Sequence, residues 1–394
     1  MRPLSFPSAM KRKFIPVALF LGMSLLDCSA EMDREEAIRE IDAKIAALQK
    51  EKAKLLAESG ESPSALHDEN GKVSHRITNS VVIIEGDKSV GTGFVAMTEG
   101  KKYLYTAAHV FGGNSKLTIR SSAGTEFKKF GDLQAAEGAD LIRLEMLDDP
   151  AHYLELAPVD SLVPLNTEIA ALGNGGGNGV VAVETGKVLG TSADLLEVDA
   201  AIIQGNSGGP VVELATGKVV GEVTHLTSAR KDIWSEGTRQ GEVRRFACRL
   251  NKEWKWTTYK TGTFLNDSRA LEEFDELTRL CFAIAQLEPG ESGLRLNARL
   301  SEDTTVLSVF DKNKENDLVR SLIGMNTELS SRKMSLSDAE LNKKFRSLLA
   351  QAEARASRSN QAFKPQGFAW FLRNRATFSV DARNESILAL KRRL

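Results

Sequence analysis

Cysteine is scarce: the chain has 394 residues and three cysteines. That is too few for a disulfide framework, and no zinc-ligand spacing is present. Cys28 lies in the N-terminal segment. Cys248 and Cys281 are left either to pair in an oxidising compartment or to sit unpaired in a core. Net charge is equally small, at −1, which excludes bulk attraction to nucleic acid or anionic membrane. The apolar run Phe14 to Leu26 falls short of the roughly 20 residues a membrane span needs. What the chain does have is 42% hydrophobic residues and 31 glycines, which fits a globular protein with a sizeable core and length for two or three domains.

The first 30 residues read as an export signal. Met10-Lys11-Arg12-Lys13 is a basic start, Phe14 to Leu26 an apolar core, and Cys28-Ser29-Ala30 offers small residues for cleavage, leaving Glu31 first. Leu25-Leu26-Asp27-Cys28 also resembles a lipobox, with Asp27 where such signals carry a small residue. A lipid tether at Cys28 is the alternative to cleavage. Across 31–58, Ile38, Ile41, Ile45, Leu48 and Leu55 recur at helical steps among charged residues, with Lys52 interrupting the seam. This predicts a coiled-coil-like helix serving homo-oligomerisation, or a single amphipathic helix packed on the rest. Residues 59–75, with Gly60, Pro63, Asn70 and Gly71, read as a linker.

From 76 to 232 short apolar runs alternate with turn residues. Strands are expected at Ile77–Ile84, Gly91–Ala96, Lys102–Tyr105, Leu117–Ile119, Leu141–Leu144, Glu168–Leu172, Val180–Val183, Leu195–Val198 and Val219–Val223. The pattern is that of an all-β barrel or sandwich. Residues 233–394 read as a mostly helical region of unknown role, with helices over Ser268–Leu287, Ser337–Ala356 and Asp381–Leu394. The second opens on a capping-box pattern of Ser337 and Glu340.

One stretch carries chemistry. Gln204-Gly205-Asn206-Ser207-Gly208-Gly209-Pro210 sets a serine among glycines between two apolar runs. A serine hydroxyl becomes a nucleophile when a base takes its proton and fixed donors hold the oxyanion. Glycines on both sides let backbone N–H groups converge beside it. Of five histidines, His109 stands out, because it follows an apolar strand and two small alanines. An orienting carboxylate is needed for its second nitrogen. Asp140, opening the apolar run Leu141-Ile142-Arg143-Leu144, is the first candidate. Asp132, in what reads as an open loop, is the second.

Thr106-Ala107-Ala108-His109, Ala139-Asp140-Leu141-Ile142-Arg143-Leu144 and Gly205-Asn206-Ser207-Gly208-Gly209-Pro210 stand in His, Asp, Ser order. Together they resemble the chymotrypsin-like serine proteases. Gly91-Thr92-Gly93-Phe94-Val95, Leu172-Gly173-Asn174, Thr185-Gly186-Lys187-Val188 and Asp199-Ala200-Ala201-Ile202 are similar to the HtrA/Deg-like branch, and the resemblance covers about 76–227. It implies a mainly β double barrel, here flanked by the N-terminal coiled-coil-like helix and the mostly α-helical C-terminal region. It implies His109 as general base and then acid, Asp140 as its orienter, Ser207 as nucleophile, and the N–H groups of Gly205 and Ser207 as oxyanion hole. No cofactor and no metal are called for. Expected partners are unfolded or extended polypeptides, met in a periplasmic or secreted location, in envelope quality control or processing. Two features depart from the family. The C-terminal third lacks the marks of a PDZ domain, and Asn206 stands where trypsin's own branch has an aspartate. The same resemblance puts Ala201 at the base of the specificity pocket, makes Val223 and Thr224 backbone partners of substrate, and lets His225 narrow the pocket. With Ile202 and Ile203 beside Ala201, cleavage after small or medium apolar residues is expected. The rival reading is a non-catalytic binding or chaperone module on a protease scaffold.

Overall fold

Val81-Val82-Ile83-Ile84 is apolar at every position, which suits a strand buried on both faces, and all four residues are fully buried. The computed structural model describes Lys44 and residues 74–112, 114, 116–228, 243–290, 293–296, 304–332 and 339–394. The expected export signal and nearly all of the expected coiled-coil-like helix and linker lie outside the described residues. All of the described residues but Lys44 belong to one compact unit, Ala65–Leu394.

The strands in chain order are β1 (Val81–Gly86), β2 (Val90–Thr98), β3 (Lys101–Thr106), β4 (Leu117–Ser121), β5 (Glu126–Phe127), β6 (Phe130–Ala136), β7 (Ile142–Met146), β8 (Leu154–Glu155), β9 (Glu168–Gly173), β10 (Ala182–Thr191), β11 (Leu195–Val198), β12 (Pro210–Glu213), β13 (Val219–Ser228), β14 (Val243–Arg249) and β15 (Trp256–Tyr259). The first sheet runs β15-β6-β7-β3-β2-β1-β4-β5, with β8 added to β2. The second is a closed barrel in the order β10-β11-β14-β13-β12-β9. Closure removes the exposed edges that an open six-stranded sheet would leave.

Alternation along β1 divides its side chains between two cores. Val82 and Ile84 face a core shared with Leu104, Leu133, Ile142 and Leu144. Val81 faces the seam between the two β-structures, with Phe94, Leu172 and Val212. A separate core of Ile169, Val198, Ile202, Val211 and Ala247 fills the closed barrel.

The helices are α1 (Thr261–Ala285), α2 (Thr304–Lys312), α3 (Asp317–Arg332), α4 (Ala339–Ala362) and α5 (Trp370–Arg393). Phe264 and Leu271 of α1 and Leu372 and Ala376 of α5 enter the same core as the first sheet. They cover its open side, so the helical region is continuous with the β-structure. Further out, Leu280, Ile284, Leu349 and Leu390 form a helical core. There Arg383 is fully buried. Its guanidinium donates to Thr278 Oγ1 and to the carbonyls of Phe274 and Ala356, tying α1, α4 and α5 together.

Several sequence expectations need correction. The boundary at residue 232 is too early: β14 completes the closed barrel and β15 pairs with β6. Three arginines in Val243–Arg249 disguise β14, whose buried residues are only Ala247 and Cys248. Residues His75–Asn79 form a helical turn before β1 rather than its start. Asp132 lies in β6, not in an open loop. The helices expected at Ser268–Leu287 and Asp381–Leu394 begin earlier, at Thr261 and Trp370. Ser337 lies outside the described residues, and Glu340 is in the first turn of α4. Cys248 and Cys281 are both buried and free, which decides for unpaired core thiols.

Candidate active site

The nucleophile loop is held by a residue whose side chain the sequence did not single out. Thr92, in β2, is wholly buried. Its N–H donates to the Ser207 carbonyl at 2.8 Å, and its Oγ1 donates to the Gly205 carbonyl at 2.6 Å. The same Oγ1 accepts from Asn174 N–H at 2.9 Å, and the Thr92 carbonyl accepts from Thr106 Oγ1 at 2.7 Å. One residue thus ties the serine loop to β2, β3 and the end of β9. The glycine pattern beside Thr92 was the only available signal.

Gly205 and Gly208 hold left-handed backbone, with φ of 101° and 86°. A Cβ on Gly205 would stand 2.2 Å from the Asn174 carbonyl oxygen, and one on Gly208 2.0 Å from that of Thr92. Neither position admits a side chain. Buried Asn206 closes the turn, its N–H donating to the Ile203 carbonyl at 3.1 Å and its own carbonyl accepting from Gly209 at 2.9 Å. Among the described residues, the N–H groups of Gly205 and Ser207 have no hydrogen-bond acceptor. Ser207 itself is half-buried.

His109 sits in the helical turn Ala108–Phe111 that follows β3. Its Nδ1 is 2.6 Å from Asp140 Oδ2, and its N–H donates to Asp140 Oδ1 at 2.9 Å. Thr224 Oγ1 donates to Asp140 Oδ2 at 3.0 Å. The carboxylate is held from three directions, which fixes both its plane and that of the ring. The main chain of Ala107, two residues before His109, lies against the position a Cβ on Gly208 would take, at 3.1 Å. The histidine turn and the serine loop therefore abut. No hydrogen bond joins Ser207 Oγ to the imidazole; such pairs commonly tighten only on substrate binding.

Asp132 stands elsewhere, paired with Lys260 at 2.8 Å. His152 is exposed. His225 is exposed too, its ring stacked on Phe246 at 5.0 Å. Val223 is not available to an incoming peptide. Its N–H donates to the Gly209 carbonyl at 2.8 Å and its carbonyl accepts from Gly208 at 2.7 Å. It braces the nucleophile loop instead, which corrects its expected role. Ala201 is exposed, Ile202 turns into the barrel core, and Ile203 is 52% exposed.

Burial pulls the His109 pKa down, but the charge of Asp140 and its hydrogen bond outweigh this, and Arg375 opposes them. The result lies above the ordinary histidine value. Glu222 in β13 is an unexpected neighbour. It is fully buried, and neither carboxyl oxygen has a hydrogen bond of normal geometry. Burial, then the charge of Asp140, push its pKa well above the ordinary 4.5. Because the folded value is raised, the stability tied to this group is full below pH 4.5 and is lost as pH rises through the folded pKa. Glu222→Gln, which cannot ionise, should gain on the wild type as pH rises above 4.5 toward the raised folded pKa. Parallel melting curves across that range check it, and a constant difference in Tm refutes the ionisation.

A half-open sheet packs against a closed six-stranded barrel, with the His109–Asp140 pair and the Ser207 loop near their junction. Residues 91–221 match the family model described as the trypsin-like peptidase domain. No curated protein matches the chain. Among solved structures it is similar to the serine endoprotease from Yersinia pestis, at 23% identity over 44% of this chain and 60% of that one, with a TM-score of 0.34. It is similar also to the HtrA-type protease AlgW with tripeptide, at 25% identity over 44% and 57%, TM-score 0.34. A third is the Rv3671c protease from M. tuberculosis in an inactive form, at 22% over 45% and 86%, TM-score 0.34. The chain spans about three-fifths of the length of the first two.

Proposed function

We propose that the protein is an exported serine endopeptidase of the HtrA-like kind, cutting extended or unfolded polypeptides through an acyl-enzyme. The observation that carries this reading is the His109–Asp140 pair, 2.6 Å apart and abutting a glycine-locked serine loop. The two N–H groups beside Ser207 are unengaged among the described residues. Ser207 Oγ attacks the scissile carbonyl while His109 Nε2 takes its proton, and Asp140 stabilises the imidazolium. The N–H groups of Gly205 and Ser207 receive the oxyanion. His109 then protonates the leaving amine, and a water, deprotonated by the same ring, releases the second product. The residues need neither cofactor nor metal for these steps.

Export rests on the basic-apolar-small pattern of residues 1–30, and the HtrA-like resemblance is what suggests a periplasmic or secreted role in envelope protein quality control or processing. Among the described residues no helix is long and apolar enough to cross a membrane. The mass of the mature N-terminus separates cleavage after Ala30 from a lipid on Cys28. The periodic apolar positions of the 31–58 sequence are the ones this reading gives to homo-oligomerisation. The intact Ser, His and Asp set favours catalysis over the scaffold-only reading. Labelling by a fluorophosphonate, mapped to Ser207 by peptide mass, tests the mechanism; absence of label on folded protein overturns it.

A second test is pH. His109 must be neutral to accept the serine proton, and its pKa lies above the ordinary 6.5. The acid limb of kcat/KM should therefore have its midpoint above that value. A rate that stays flat from about pH 5 to 8 refutes His109 as base.

A further inference from the structure

Arg245 in β14 is half-buried, on the strand face that Ala247 turns into the barrel core. Its Nε donates to the Ile202 carbonyl at 2.9 Å and its Nη1 to the Val243 carbonyl at 3.3 Å. Both acceptors are neutral. Among the described residues no carboxylate pairs with it, whereas its neighbour Arg244 is bidentate on Glu197. Of the five N–H donors a guanidinium carries, the three not used in these bonds remain for something else. A half-buried cation fixed by carbonyls and lacking a counter-charge is a site made for an anion.

Its place says which anion. His225 to Ser228 pair with β14 along one edge, while β12 reaches only to Glu222 on the other. That second edge is unpaired among the described residues beyond Val223. An extended peptide whose carbonyl lies at Ser207 can add there as a further strand. Arg245 stands opposite Leu226 in the register. Through Ile202 it also touches the segment that turns at Ile203–Asn206 into Ser207. It bridges the two walls flanking the side chain that precedes the scissile bond. Ala201, exposed and ending at a methyl, leaves room beside it.

We infer that Arg245 is the specificity-determining residue of the Ser207 site and selects substrates with aspartate or glutamate before the scissile bond. This rests on the endopeptidase reading, and it replaces the apolar preference read from Ala201, Ile202 and Ile203. Arginine and lysine in that position are disfavoured by like charge, and an apolar side chain leaves the guanidinium desolvated without a partner.

Two measurements on the full chain keep the two readings apart. In the first, a peptide library is digested by protein that labels with fluorophosphonate, and the cuts are read by mass spectrometry. Cuts predominantly after Asp or Glu, at least tenfold over Leu or Val, are expected, with Arg245→Glu moving them toward Lys and Arg. Labelled protein that cuts mainly after apolar or basic residues overturns the role of Arg245 and leaves the mechanism standing. In the second, the Ser207→Ala variant is titrated with N-acetylated tripeptide acids ending in Asp, Glu, Leu or Lys. All share the terminal carboxylate, so only the side chain varies. Tighter binding of the Asp or Glu peptide, by tenfold or more and lost in Ser207→Ala/Arg245→Gln, supports the pocket even if no label or hydrolysis is seen. Equal binding of all four refutes it. Digestion by the wild type and binding by Ser207→Ala need no Arg245 variant to fold.

Discussion

Ser207→Ala should lower peptide hydrolysis by about four to six orders of magnitude while the melting temperature stays within a degree or two of the wild type. The two halves of this result have separate causes. Among the described residues the Ser207 hydroxyl makes no hydrogen bond, whereas the loop around it is held through backbone groups and Thr92. Removing one oxygen therefore removes no structural bond. It does remove the atom that attacks, and the groups of a triad act as a unit, so His109→Ala costs about as much as Ser207→Ala and the double variant little more. Residual turnover comes from the backbone N–H groups and binding alone. Retention of more than about a tenth of wild-type kcat/KM would place the chemistry elsewhere.

The candidate site was the most legible part of the chain because its constraints are local. Gly205 and Gly208 must be glycine, since their φ values and the oxygens at about 2 Å admit nothing else; a turn with such needs shows in the letters. His109 follows an apolar strand and Asp140 opens another, so both sit at strand ends where a cleft can form. Less legible were the residues whose task depends on the partner strand. Val223 reads as one more apolar strand residue, and only the register shows that its N–H and carbonyl are spent on Gly209 and Gly208. Thr92 reads as a small polar residue between glycines. β14 defied the sequence for a related reason. A strand with one face at the mouth of a barrel need not alternate apolar and polar residues, so Arg244, Arg245 and Arg249 concealed it. The helical region illustrates the same limit at larger scale. The faces of α1 and α5 were partly visible as periodic leucines, but that Phe264 and Leu372 seal the first sheet follows from packing alone.

Asp140→Asn should lower kcat/KM by about three to four orders of magnitude and also move the acid limb of the pH profile downward. In the wild type Asp140 is only an acceptor. Its Oδ2 faces His109 Nδ1 at 2.6 Å, which fixes the proton on Nδ1 and leaves Nε2 free to take the serine proton. An asparagine keeps the oxygen that accepts from the His109 N–H. It can set its amide against Nδ1, favouring the tautomer with the proton on Nε2, which cannot act as base. The shape is nearly unchanged, so little stability should be lost. The second effect has its own origin. The charge of Asp140 and its hydrogen bond hold the His109 pKa above the ordinary value against burial and Arg375. Neutralising that charge lets burial prevail, and the pKa falls. The two readouts separate orientation from mere packing. If Asp140 only filled space, the rate would drop without any movement of the acid limb. If Asp140→Asn retained most of its activity with an unshifted profile, the imidazole would be oriented by some other group, and Thr224, which donates to the same carboxylate oxygen at 3.0 Å, would lose its reason for being there.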